Sequence, residues 1–407
     1  MLYQLLLLQW NIGLLEQVVN NYNPVDTAFN FGYGNNECII KRNIMNSQLS
    51  STENGRTDHI FSGNIFIFQA FDFGDDINLE KIQESGVLIT RALTLSKYFK
   101  NYHIPLVVEL PNNAPNCFSA KIQNFSAVSL TYKIPFNDTL DNVRKQLDSL
   151  NNKYQEQSIV DAGEIYKKIK DYITKPNFFH IRSTYVVIQV DPQPNVIDTV
   201  MLKEAYGSLI ASALRFETQS LSEYQKNEIL ESAVGYYRGD FIVIDTESAF
   251  VYDAEYGEIL DFFEFANIQA LELRYYDRVL DQQLNIIYEG KTNSVPLTAY
   301  LPFIGTMSKG RVDELGKLKV DISVITERLE SSIKLAGESY FFDIYSILEE
   351  KLGLKTWRDA IDKKLAIISS ISSVLQKRID SVREDMLTTL IIILIFIELL
   401  IGLFLRK

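Results

Sequence analysis

One stretch restricts what this chain can fold into more than any other: Met386–Leu405, MLTTLIIILIFIELLIGLFL. About 20 apolar residues rising 1.5 Å each make a helix roughly 30 Å long, the thickness of a bilayer's hydrocarbon core. Glu398 is the single ionisable residue inside it, and Arg406 and Lys407 follow. The expected architecture is a soluble body hung from a membrane by its C-terminal helix.

The body has ample material. The chain has 407 residues, 46% hydrophobic and 23% charged, and its 24 Phe and 22 Tyr argue for filled cores rather than disorder. A net charge of −12, with no Lys/Arg run longer than two, speaks against phosphate-neutralising nucleic-acid binding. Cys38 and Cys117 are far apart and read as free thiols in a reducing compartment. The N-terminus, MLYQLLLLQWNIGLLEQ, lacks a basic n-region and is interrupted by Gln4 and Gln9, so it reads as a buried first strand or helix rather than a signal peptide. The membrane segment would then insert after synthesis, as tail anchors do. Lys377, Arg378 and Arg383 on one flank nearly balance Arg406 and Lys407 on the other, so orientation rests on the missing signal. The expected placement is single-pass, with the body facing the cytoplasm or, in an organelle, the mitochondrial matrix.

Four regions follow along the chain. Residues 1–56 form an N-terminal segment, irregular where Asn and Ser are dense. Residues 57–253 form an α+β body. Ile65, Phe66, Ile67 and Phe68 are apolar on both faces, as a covered central strand requires. DDINLEKIQ starts a helix, VLITRALTLSKYFKNY continues as a second, PLVVEL is a strand, and CFSAKIQ with AVSLTYKIPF makes a strand pair. Asp138–Thr174 reads as a long polar helix or helical hairpin with the look of an exposed arm. STYVVIQV is a strand, Val200–Phe216 a buried helix rich in small residues, and Ser220 or Ser222 caps the next helix. GYYRGDFIVIDTESAFVYD is the clearest hairpin.

Residues 254–385 turn to helix, read as a coiled-coil stalk or helical hairpin, and 386–405 span the membrane. Pro296 and Pro302 break the first stalk helix. The next places Leu315, Leu318, Ile322, Ile325 and Leu329 at three and four, a heptad seam. After a break at KLGLKTW, Ile361, Ile368, Leu375 and Val382 repeat every seven residues with Ile371 between, and no Pro or Gly intervenes before Met386.

Motifs for chemistry are absent. His59, His103 and His180 are isolated, so no metal is implied, and no phosphate-binding glycine loop or nucleophile elbow occurs. No catalytic residue and no cofactor is assigned. Two groups stand out as interaction sites. On the first stalk helix Asn267, Arg274, Arg278 and Asp281 fall on one stripe, a candidate partner face whose plainer reading is an ion-paired helix surface. In the membrane helix, Glu398 either snorkels toward Arg406 and Lys407 or hydrogen-bonds, protonated, across a helix–helix interface, with a proton path as a third reading. Thr388, Thr389 and Gly402 would help helices approach there.

An α+β body, a helical hairpin and a terminal helix of the form LxxxIIxLIxxE, here Leu387, Ile391, Ile392, Leu394, Ile395 and Glu398, resemble the required-for-meiotic-nuclear-division family, a domain of unknown function. YYRGDFIVIDTESAFVYD and EFANIQALELRYYDRVLD also resemble uncharacterised bacterial proteins of the same layout. The resemblance implies a membrane-anchored, non-enzymatic, self-assembling protein, with mitochondrial members supporting organellar translation. Where that family carries a Trp at the entry to the membrane helix, this chain has Thr388 and Thr389. The resulting expectation is a tail-anchored scaffold or adaptor whose partners are the bilayer, further copies of itself and soluble proteins. The alternative is a membrane-anchored enzyme or small-ligand sensor with a concave site in the body.

Overall fold

Strand β1 (Ile60–Asp72) is apolar at consecutive positions because both of its faces are covered. Ile65, Ile67 and Phe71 enter one core, while Phe66 and Phe68 enter another on the opposite side. The computed structural model describes residues 59–91, 104–109, 117–125, 127–178, 182–193, 197–237, 239–288, 316–320, 322–324, 326–327 and 339–404. The expectations for 1–56, including Cys38, and those for residues 92–103, His103, His180, Pro296, Pro302, Leu315, Ile325, Leu329, Arg406 and Lys407 lie outside these residues.

The remaining strands are β2 (Thr90–Arg91), β3 (Leu106–Val108), β4 (Cys117–Ile122), β5 (Ala127–Thr139), β6 (Arg182–Val190), β7 (Phe241–Ile244) and β8 (Ser248–Tyr252). Together with β1 they form one sheet in the order β2-β3-β4-β5-β1-β6-β8-β7. The pairs are antiparallel except β6 with β8, which run parallel. The expected β4–β5 pair and the β7–β8 hairpin are both present. Thr90 and Arg91, expected in a helix, instead pair with β3, since β-branched Thr90 can extend the sheet edge.

One face carries α1 (Leu79–Ser85), α2 (Leu140–Ile169), α3 (Thr199–Leu214) and α4 (Glu223–Glu231). Side chains cap all four: Asn78, Thr139, Asp198 and Ser222 each accept from the backbone N–H three residues on. The expected exposed arm is corrected by α2, a single helix lying against β5, β1 and α3. Its Leu140, Val143, Leu147, Tyr154, Ile165 and Ile169 are buried. These lie three to four residues apart or at multiples of that spacing, so they form one stripe that the Lys, Glu and Gln of the other faces conceal.

The opposite face carries α5 (Gly257–Tyr288), α6 (Ser339–Lys351) and α7 (Leu354–Phe404). The first half of α5 lies across β1, β5 and β6, and α6 and α7 pack on α5. Gly353, with φ of 64°, turns the chain sharply between α6 and α7, a conformation open to glycine at no steric cost. The structure is therefore a mixed α+β sheet body followed by helices. Ile361 and Ile368 of the expected seam are buried in the same core as Tyr276, Leu280 and Ile287, and the described residues do not show a coiled-coil hairpin.

Candidate functional site

The 51 residues of α7 form one helix with no break between the body and its apolar end. Its first turns are buried through Leu354, Ile361, Leu365 and Ile368. Its last turns are bare: Ile391 is 56% exposed, Phe396 62% and Leu403 72%. Each such side chain gains about 1.5–3 kcal/mol when withdrawn from water, so this end requires an apolar surround. By length and composition α7 is able to cross a membrane. Residues 369–385 separate the body from that end by about 26 Å at 1.5 Å per residue.

The expected membrane-helix group divides. Glu398 and Gly402 are four residues apart and share a face within about 40°, whereas Thr389, nine residues before Glu398, lies about 180° away. The Thr388 and Thr389 hydroxyls are spent locally, donating to the Glu384 and Asp385 carbonyls at 2.9 and 2.8 Å.

The expected partner face divides too. Asn267 is fully buried, and its Nδ2 donates to the Ser183 carbonyl of β6 at 3.0 Å. Arg274 and Arg278 are exposed on the half of α5 that extends past the sheet. Asp281 is 2.6 Å from Lys364 of α7, which also binds Asp277 at 2.6 Å. Burial draws the Lys364 ammonium down, and Asp277 and Asp281 more than offset it, so its pKa is net raised. This junction fastens α7 to the body.

The side of α5 that meets the sheet is polar at nearly every turn. Lys121 of β4 binds Glu264 at 2.5 Å and Asp261 at 3.1 Å. Burial lowers the Lys121 pKa, and the two carboxylates reverse that and raise it. Two residues past Asn267, Gln269 accepts from the Tyr345 hydroxyl of α6 at 2.7 Å. Farther along, Glu272 is fully buried and near Asp72, the last residue of β1. Asp72 Oδ1 accepts from the Gly74 N–H at 2.7 Å. Burial raises the Asp72 carboxyl to about 7 despite that bond, with the charge of Asp75 adding to the rise. Burial and the charge of Asp72 raise Glu272 well above the carboxylate range. Of these groups, Asp72, Lys121, Asp261 and Gln269 were not assigned from sequence. The signal was the spacing of Asp261, Glu264, Asn267, Gln269 and Glu272 through the otherwise apolar DFFEFANIQALEL.

A cleft of about 700 Å³ opens among α3, α4 and β7. Lys203, Lys226, Asn227, Tyr237 and Asp240 line it, with Leu230 among the apolar residues. Lys226 is bound to Glu223 at 2.9 Å, and Asp240 accepts from the Tyr237 N–H at 2.8 Å. Between β1 and α3, Phe61 and Tyr206 pack edge to face at 5.1 Å. Cys117 is half-buried and free, and burial with the charge of Asp161 pushes its thiol up to about 12, away from nucleophilic character.

Residues 62–258 match the family model described as Uncharacterized protein MJ0711, N-terminal domain. Over 198 residues the chain is 23% identical to Uncharacterized protein MJ0711 of Methanocaldococcus jannaschii, covering 48% of this chain and 59% of that protein. The chain thus matches less than two thirds of that relative's length. No solved structure matches. The similarity supports an uncharacterised-protein family for the sheet body and does not confirm the resemblance to the required-for-meiotic-nuclear-division family.

Proposed function

We propose that this chain is a tail-anchored membrane scaffold or adaptor that self-associates through its helical stalk and membrane helix and presents its α+β body to soluble partners. The observation that carries this reading is the single helix α7, buried at one end in the body and bare and apolar at the other. A body joined to its anchor by one continuous helix holds its surfaces near the bilayer. The body is taken to face the cytoplasm, or the matrix in an organelle. Glu398 with Gly402 supplies the membrane contact between copies, because a carboxyl in hydrocarbon is costly unless it is hydrogen-bonded. Exposed Arg274 and Arg278 supply the surface offered to soluble proteins. The test is the mass of the full chain in mild detergent. A multimer that shrinks on Glu398→Leu is expected, and a strictly monomeric particle overturns the reading. Deleting 361–382 is a poorer test, because Ile361, Leu365 and Ile368 belong to the core.

The cleft favours a second reading, a membrane-anchored sensor of a small ligand, since its volume falls within the usual range of ligand sites. A ligand screen in which Lys203→Ala and Asn227→Ala abolish a thermal shift would support it, and a screen without hits would count against it.

A further inference from the structure

Asp72, at the end of β1, and Glu272, on the helix α5 packed over the sheet, lie close enough for their charges to interact. Asp72 is 1% exposed and Glu272 0%. Neither Glu272 oxygen has a hydrogen-bond partner, nor does Asp72 Oδ2. Among the described residues neither carboxylate has an ion pair. The groups facing them are few. Asp75, from the loop after β1, is exposed and bound to Lys175 at 2.8 Å. Tyr276 approaches Glu272 from α5 and opposes part of the rise in its carboxyl, and Tyr275 lies beside Tyr276. Arg274 lies near Glu247 of the β7–β8 turn.

Two like charges confined together out of water cannot both be tolerated, and a buried unpaired carboxylate is among the costliest groups in a fold. We propose that Asp72 and Glu272 form a pH-sensitive latch: protonated, the pair holds the stalk end of α5 on the sheet, and once both acids have given their protons to solvent that end lifts. The movement is confined by what flanks it. Phe262, Phe263 and Phe265 keep the first half of α5 in the apolar core. Beyond Glu272, α5 grips α7 through Asp277, Asp281 and Lys364, so lifting this end changes the angle between body and anchor helix. The latch lies within the body and stands whether or not copies self-associate.

The test is amide hydrogen exchange of the full chain in detergent micelles, corrected for the intrinsic effect of pH. Between about pH 5 and about pH 9, opening of residues 268–280 should increase at least about tenfold in the wild type. The double variant Asp72→Asn, Glu272→Gln should lose that increase, since amides reproduce the protonated shape without titrating. A second readout needs no variant: infrared difference spectra of the wild type should show a protonated-carboxyl carbonyl band that disappears as pH is raised. Exchange that follows only the intrinsic effect of pH, the same increase in the double variant, or a wild type without the carboxyl band would each overturn the latch.

Discussion

The Lys364 ammonium of α7 lies 2.6 Å from Asp277 Oδ1 of α5, and this contact joins the long C-terminal helix to the helix that rests on the sheet. Both side chains are largely withdrawn from water, with 19% and 14% exposed. Removing the cation leaves a half-buried carboxylate without its charge partner. Lys364→Ala should therefore lower stability by about 1–3 kcal/mol, read from the urea midpoint of the full chain in detergent. An unchanged midpoint would make the junction an incidental surface pair.

Lys121 sits between two acids under α5, and the same logic applies more strongly there. Its side chain is 13% exposed and that of Glu264 6%. Breaking such a group by removing one partner costs about 3–5 kcal/mol. Lys121→Met should cost that much at neutral pH and less in mild acid, as Asp261, whose carboxyl burial raises, takes up a proton. Thermal melts at the two pH values would check it, and a loss independent of pH would contradict it.

Asn267 is an interior fastener. Asn267→Ala removes its bond to the Ser183 carbonyl and should destabilise by about 1–3 kcal/mol while leaving assembly in detergent unchanged. A change in assembly without loss of stability would restore it to a partner face.

The stability of the body should fall as pH rises. Asp72 and Glu272 have raised pKa values in the fold, so near neutrality the folded state binds more protons than the unfolded one. Their contribution is complete below about pH 4, where both states are protonated, and is lost as pH rises, through about 7 for Asp72, with Glu272 raised in the same direction. Asp72→Asn should raise the melting temperature at about pH 8 and hardly alter it at about pH 4. A melting temperature of the wild type that climbs through this window would contradict the assignment.

Much of this fold was legible in the chain. The double-sided apolarity of Ile65–Phe68 marked a covered central strand, the β7–β8 hairpin showed in FIVI and SAFVY, and unbroken periodicity carried α7 to its end. The misreadings have physical causes. Mean polarity hid the buried stripe of α2, whose Leu147, Tyr154 and Ile165 are spaced for one face among charged neighbours. Helical spacing grouped Asn267 with Arg274 and Arg278 correctly, but spacing is blind to where the sheet beneath the helix ends. The Asp72–Glu272 meeting joins residues 200 positions apart, and no local pattern encodes it.

Anchoring by α7 is the claim on which the functional account depends. The direct measurement is alkaline extraction of cell membranes expressing the full chain, beside a chain stopped after Arg383. The account predicts that the full chain stays with the extracted membranes and the shortened chain leaves them. Release of the full chain into the soluble fraction would contradict it.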